Sequence, residues 1–169
     1  MRPDAARTAF SGRLIDVVVE CWGEFDREIV VHGPAVAIVA VDEQEHVTLV
    51  RQPREAVRRE LLELPAGGID GDEAPLAAAQ RELAEETGLY GGEWSMLGSF
   101  FTTPGFCDEL MHVFLAAGVR AGAASPQADE SLDLVRVPVG ELADLVSTLV
   151  DAKTIAGLLL YLYAARPGS

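Results

Sequence analysis

The chain has 169 residues, about half of them apolar, and a formal net charge of −14. That length supports one buried core and is short for two, so a single domain over 1–169 is expected. The acidic balance opposes phosphate backbones and anionic lipid, and basic residues gather only over 51–59, so neither nucleic acid nor membrane is expected as a partner.

The two cysteines, Cys21 and Cys107, have no metal-type spacing and give no basis for a disulfide scaffold or a zinc site. Residues 1–13 lack the apolar stretch of a secretory leader, and the apolar run 158–165 is too short to cross a bilayer. The expected location is the cytoplasm.

In chain order, 14–22 and 28–31 read as strands around the turn 23–26, an N-terminal β-hairpin. Residues 35–41 are dense in β-branched types and predict a buried strand; 47–52 continue the pattern after the polar turn 42–46. The stretch 60–65 leads into Gly67-Gly68. A helix is predicted over 75–87, rich in Ala, Leu, Glu and Gln, with acids and Pro75 at its start and Gly88 as its C-terminal cap.

Strands follow at 94–102, 110–116 and 134–137, separated by the loop 103–109 and by the segment 118–130, whose small and polar residues predict mobility. Helical patterns close the chain at 140–148 and 154–165, and 166–169 has nothing to hold it in place.

On the 75–87 helix, Glu82, Glu85 and Glu86 fall within one wedge about 100° wide, beside an apolar face of Leu76, Ala79 and Leu83. Like charges at i+3 and i+4 cost an isolated helix roughly 0.2 to 0.5 kcal/mol per pair. Two readings follow from the spacing alone. The trio is a solvated helix face, or it is a set of hard oxygen ligands for Mg²⁺ or Mn²⁺.

The wider string decides between them. Gly67, Glu73, Arg81-Glu82-Leu83, Glu85-Glu86 and Gly88-Leu89 fit G-x5-E-x7-R-E-U-x-E-E-x-G-U, U being a bulky aliphatic residue, at every defined position. This resembles the Nudix box. The resemblance implies an α/β (α+β) Nudix fold, a mixed sheet packed between helices as an α/β/α sandwich. It also implies a divalent metal cofactor, Mg²⁺ or Mn²⁺, with Glu82 and Glu86 as main ligands, Glu85 as ligand or base, and the Ala66 carbonyl completing the set. Gly67 would let the backbone approach the metal, and Arg81 could pair with Glu73 to brace the loop on the helix.

Beyond the box, Arg51-Gln52-Pro53-Arg54, Glu63-Leu64-Pro65-Ala66-Gly67 and Thr103-Pro104-Gly105-Phe106-Cys107-Asp108-Glu109 resemble bacterial ADP-ribose pyrophosphatases of this family. The likeness runs from about Gly12 to Ala165. It implies that Glu109 is the catalytic base, with Glu85 the other candidate. Gly105 and Phe106 of the same loop are candidate substrate-binding residues. Arg27 and Glu28 resemble residues that reach adenine or phosphate in relatives, although the family's arginine commonly sits one position earlier. A diphosphate also needs a planar cation, and Arg54 is the candidate.

Arg51, Arg58 and Arg59 read as solvated, His32 as a packing or surface residue, and Cys107 as a bystander, since hydrolysis by water needs no thiol nucleophile. The implied reaction is metal-dependent cleavage of ADP-ribose to AMP and ribose 5-phosphate, the substrate being a small nucleoside diphosphate. Nucleotide sugars, dinucleoside polyphosphates and oxidised nucleotides remain alternatives. A silent ADP-ribose sensor would need a DNA-binding element and a damaged box, and neither is found. Relatives of this type are often homodimers, with strands such as those of 14–31 reaching the neighbouring site.

Overall fold

The run Ala35–Asp42 forms a strand with almost every side chain buried, which alternation explains only if both faces of its sheet are covered. Ala35, Ala37, Val39 and Val41 join one apolar cluster; Val36, Ile38 and Ala40 join another. The computed structural model describes residues 1–122 and 132–165.

A small antiparallel sheet comes first, with strands β1 (Ala5–Ser11), β2 (Asp16–Trp22) and β3 (Phe25–Val31) in that order. The larger sheet holds β4 (Ala35–Asp42), β5 (His46–Arg54), β6 (Arg59–Glu63), β7 (Ala66–Gly68), β8 (Leu89–Tyr90), β9 (Glu93–Phe101), β10 (Leu110–Ala121) and β11 (Asp133–Pro138). Its central order is β11-β5-β4-β10-β8, with β6 on β5, β7 on β4 and β9 on β10. The β4–β10 pair is parallel and the others are antiparallel, so the sheet is mixed.

Helix α1 (Pro75–Thr87) covers one face through Ala78, Ala79 and Leu83. Helices α2 (Leu142–Val146) and α3 (Ala152–Ala164) cover the other through Leu142 and Leu158. The result is the expected sandwich of helices on both sides of a mixed sheet.

Several boundaries differ from expectation. The expected N-terminal hairpin is present as β2 and β3, but β1 pairs with β2 as well. All seven β1 side chains are exposed, so no apolar alternation marks this strand in the sequence; backbone pairing forms it. Strand β10 runs on to Ala121 past Gly118, whose φ of 76° lies at an irregularity between Ala117 and Val119. Residues 118–121 are therefore strand. The rest of the predicted mobile segment, from 123 on, falls outside the described residues, as does 166–169.

Helix α1 keeps its predicted bounds. Gly88 ends it in the left-handed region at φ 68°, its N–H donating to the Ala84 carbonyl. The acids Asp72 and Glu73 lie ahead of the N-cap residue Ala74, so the first turn itself holds none. Glu73 is thereby available to Arg81.

Candidate active site

Strand β7 pairs with β4 at Ala35–Ala37 and thereby lies along the acidic side of α1. The Ala66 N–H donates to Glu86 Oε2 at 3.1 Å. At Gly67 a methyl group would overlap the Glu82 carboxylate, so only glycine lets that carboxylate rest against the strand. The glycine expected to admit a metal thus makes room first for one of the proposed ligands.

Arg81 binds this end of α1 together. Its Nη2 donates to Glu73 Oε2 at 2.9 Å and to the Gly68 carbonyl at 3.1 Å; Nη1 donates to Glu82 Oε1 at 2.7 Å and Glu85 Oε2 at 3.2 Å. The hydrogen bond to Glu73 holds the guanidinium charged well above its ordinary range and pulls the Glu73 carboxyl below its own. Glu82 goes the other way: burial pushes its carboxyl up, Glu85 and Asp70 add to the rise, and Arg81 offsets only part of it.

One arginine therefore hydrogen-bonds three carboxylates and lies 3.8 Å from a fourth, Asp70, while Glu86 stands 8% exposed on the same face. Among the described residues no three acid, histidine or cysteine side chains already converge as a cage, and Glu82 and Glu85 instead share Arg81 Nη1. The donor set itself fits a hard divalent cation: carboxylate oxygens on one helix, partly desolvated, one anchored by a backbone N–H and one seated on a glycine.

The loop 103–109 is docked by backbone bonds. Val30 N–H donates to the Phe106 carbonyl at 2.7 Å, Asp108 N–H to the Val30 carbonyl at 3.2 Å, and His32 N–H to Asp108 Oδ1 at 2.9 Å. Glu109 leaves the loop held by the Thr102 hydroxyl, which donates to Oε2 at 2.6 Å, with His32 Nδ1 3.6 Å from Oε1. His32, read from sequence as a packing or surface residue, is half-buried beside Glu109.

Two cavities meet at this loop. The first, about 470 Å³, is lined by His32, Arg54, Ala66, Gly67, Glu109 and Lys153, among others. The second, about 590 Å³, is lined by Trp22, Arg27, Glu28, Phe101, Gly105 and Phe106, and also by Cys107. Every residue proposed for substrate other than Arg54 thus belongs to the second cavity, and Arg54, Ala66 and Glu109 belong to the first. The Arg27 guanidinium lies 5.1 Å from the Phe25 ring centre.

Sequence reasoning placed Glu63 in a family string without giving it a role, and singled out neither Lys153 nor Thr102 for the site. Glu63 is fully buried on β6, and Arg54 grips it through Nε at 2.8 Å and Nη2 at 2.6 Å, with the Lys153 ammonium on Oε2. Burial pushes the Glu63 carboxyl up, but the bonds from Arg54 and Lys153 outweigh it and leave it below the ordinary range. The available signals were an acid in the otherwise apolar run Leu61-Leu62-Glu63-Leu64 and the chain's one lysine. Neither names its partner.

A NUDIX domain model matches residues 31–158. The chain belongs to the Nudix family. It is 36% identical to the ADP-ribose pyrophosphatase of Bacillus subtilis (strain 168), over 89% of this chain and 86% of that protein. It is 40% identical to the ADP-ribose pyrophosphatase of Mycobacterium tuberculosis, over 81% and 69%, and 35% identical to the methanol dehydrogenase activator of Bacillus methanolicus, over 86% and 84%. A solved structure described as an ADP compounds hydrolase superposes with a TM-score of 0.82 at 23% identity, covering 97% of this chain and 94% of that one, which supports the Nudix fold.

Proposed function

We propose that this Nudix hydrolase cleaves the diphosphate bridge of ADP-ribose to AMP and ribose 5-phosphate, using Mg²⁺, with Mn²⁺ as a substitute. The observation that carries this is the loop 103–109, which gives Glu109 to the cavity of the box strand β7 and Gly105 and Phe106 to the adjoining aromatic cavity. A diphosphate over the first and a nucleoside in the second fit that division. Two relatives that match most of this chain are ADP-ribose pyrophosphatases.

Glu82, Glu85, Glu86 and the Ala66 carbonyl would hold the ions. When bound, divalent ions neutralise the phosphates and acidify water. Glu109 is the base: the Thr102 hydroxyl occupies Oε2 and so orients the carboxylate to take a proton from the attacking water. Water adds its oxygen to one phosphorus, the bond from that phosphorus to the bridging oxygen breaks, and the two monophosphates leave. Arg54 supplies directed donors to phosphate oxygen, and Glu28 and Arg27, with Trp22 and Phe106, line the nucleoside end.

The same reading takes the chain as a cytoplasmic homodimer. Among the described residues no helix is long and apolar enough to cross a membrane. The small sheet exposes Phe10 and Phe25, a surface that a second copy could cover. Light scattering on the purified chain checks the dimer, with a monomer mass as the contrary result.

The test of function is a product assay with Mg²⁺ on ADP-ribose, a nucleotide sugar, a dinucleoside polyphosphate and an oxidised nucleoside triphosphate. The highest kcat/KM on ADP-ribose, with equal AMP and ribose 5-phosphate, is expected. A clear preference for another member moves the substrate assignment, and no metal-dependent turnover on any of them removes the enzymatic reading.

A further inference from the structure

A fully buried carboxylate is expensive unless its surroundings return the lost hydration, and an apolar residue of similar size would serve simple packing better. Glu63 has no exposed surface, yet it sits where two cations of the first cavity meet. Arg54 reaches it from β5 with two parallel bonds, and Lys153 reaches it from the start of α3. Gln52 Nε2 adds a longer contact at 3.4 Å.

The cluster is closed on its far side. Lys153 also donates to Asp151 Oδ2 at 3.0 Å, and Asp151 caps α3 by accepting from the Thr154 N–H at 3.0 Å and its hydroxyl at 2.6 Å. The Thr154 oxygen accepts from Leu64 N–H at 2.8 Å, two residues before Ala66. Arg54 and Lys153 are thus matched by Glu63 and Asp151, so the group adds little net attraction for an anion. What it adds is direction.

We infer that Glu63 is a positioning residue for the substrate's diphosphate: by holding the Nε–Nη2 edge of Arg54 and the ammonium of Lys153 together, it fixes how both cations present their remaining donors to the cavity that Glu109 lines. The inference rests on the proposed reading of that cavity as the phosphate site. A pin that merely ties β6 to α3 would affect folding and not recognition.

Steady-state hydrolysis of ADP-ribose by the full chain in saturating Mg²⁺ separates these. Glu63→Gln, which keeps the shape and removes the charge, is expected to raise KM about tenfold with a smaller change in kcat. Combined with Arg54→Gln its effect on KM should be clearly smaller than in the wild type, because part of that effect acts through the arginine and only the part through Lys153 remains. A lowered melting temperature at unchanged KM, or additive KM effects in the double variant, overturns the inference while Arg54→Gln still shows a raised KM. A wild-type KM in Arg54→Gln itself overturns the reading of the cavity and the inference with it. If Glu63→Gln does not fold, Glu63→Asp keeps the charge on a shorter arm, and an unchanged KM there is equally decisive.

Discussion

Two charged clusters, one on α1 and one around β6 beside the first cavity, are built on opposite plans. On α1 one arginine serves four carboxylates, those of Asp70, Glu73, Glu82 and Glu85, and burial has already pushed the Glu82 carboxyl up. Around β6 two cations serve one buried carboxylate, with Asp151 completing the balance. The first region is short of positive charge and the second is not. Cations from solution therefore have a physical reason to enter at α1, while the β6 cluster orients donors that are already compensated.

The largest effect that would sharpen this contrast is on the proposed base. Glu109→Gln should lower kcat by about a hundred to ten thousandfold while sparing Mg²⁺ uptake, as measured by turnover beside calorimetric titration of the ion. Unchanged turnover would hand the base role to Glu85. Next, Glu86→Gln removes a full ligand charge from the region short of cations, and turnover should fall by at least about a hundredfold; near-normal rates would take Glu86 out of the site.

Gly67→Ala tests the same region without altering charge. The added methyl must displace the Glu82 carboxylate, so metal affinity should weaken by about ten to a hundredfold at a nearly unchanged melting temperature. Wild-type affinity would show that the seat on Gly67 has no part in holding the ion.

The smallest expected effect tests the compensated region through pH. The folded Glu63 carboxyl lies below its ordinary value, so its contribution to stability is present above the unfolded value and is lost as pH falls through the folded one. Urea unfolding of the wild type should lose stability on acidification more steeply than Glu63→Gln. Parallel curves would mean that the Arg54 and Lys153 bonds contribute no pH-linked stability.

How much of this could be read in advance follows from distance along the chain. The acidic helix and its glycine cap lie within one short segment, where helical periodicity sets which side chains are neighbours, and the partnership of Arg81 with Glu73 was implied by the box motif that spans the same segment. The sandwich was implied by the resemblance to the Nudix box, and the apolar run 35–41 agrees with it, since such a strand must be covered on both faces.

Strand β1 was not legible, because a strand held only by backbone pairing leaves no side-chain pattern. Glu63 and Lys153 stand 90 residues apart in sequence and meet only because α3 packs beside the β6–β7 corner. The sequence by itself therefore determined the fold, the family and the carboxylates of α1, all products of short-range periodicity and a contiguous motif. The tertiary structure alone decided which cations face Glu63, how Glu109 is held and how the loop 103–109 divides the two cavities, because burial of a charge selects its partner in space and not by spacing along the chain.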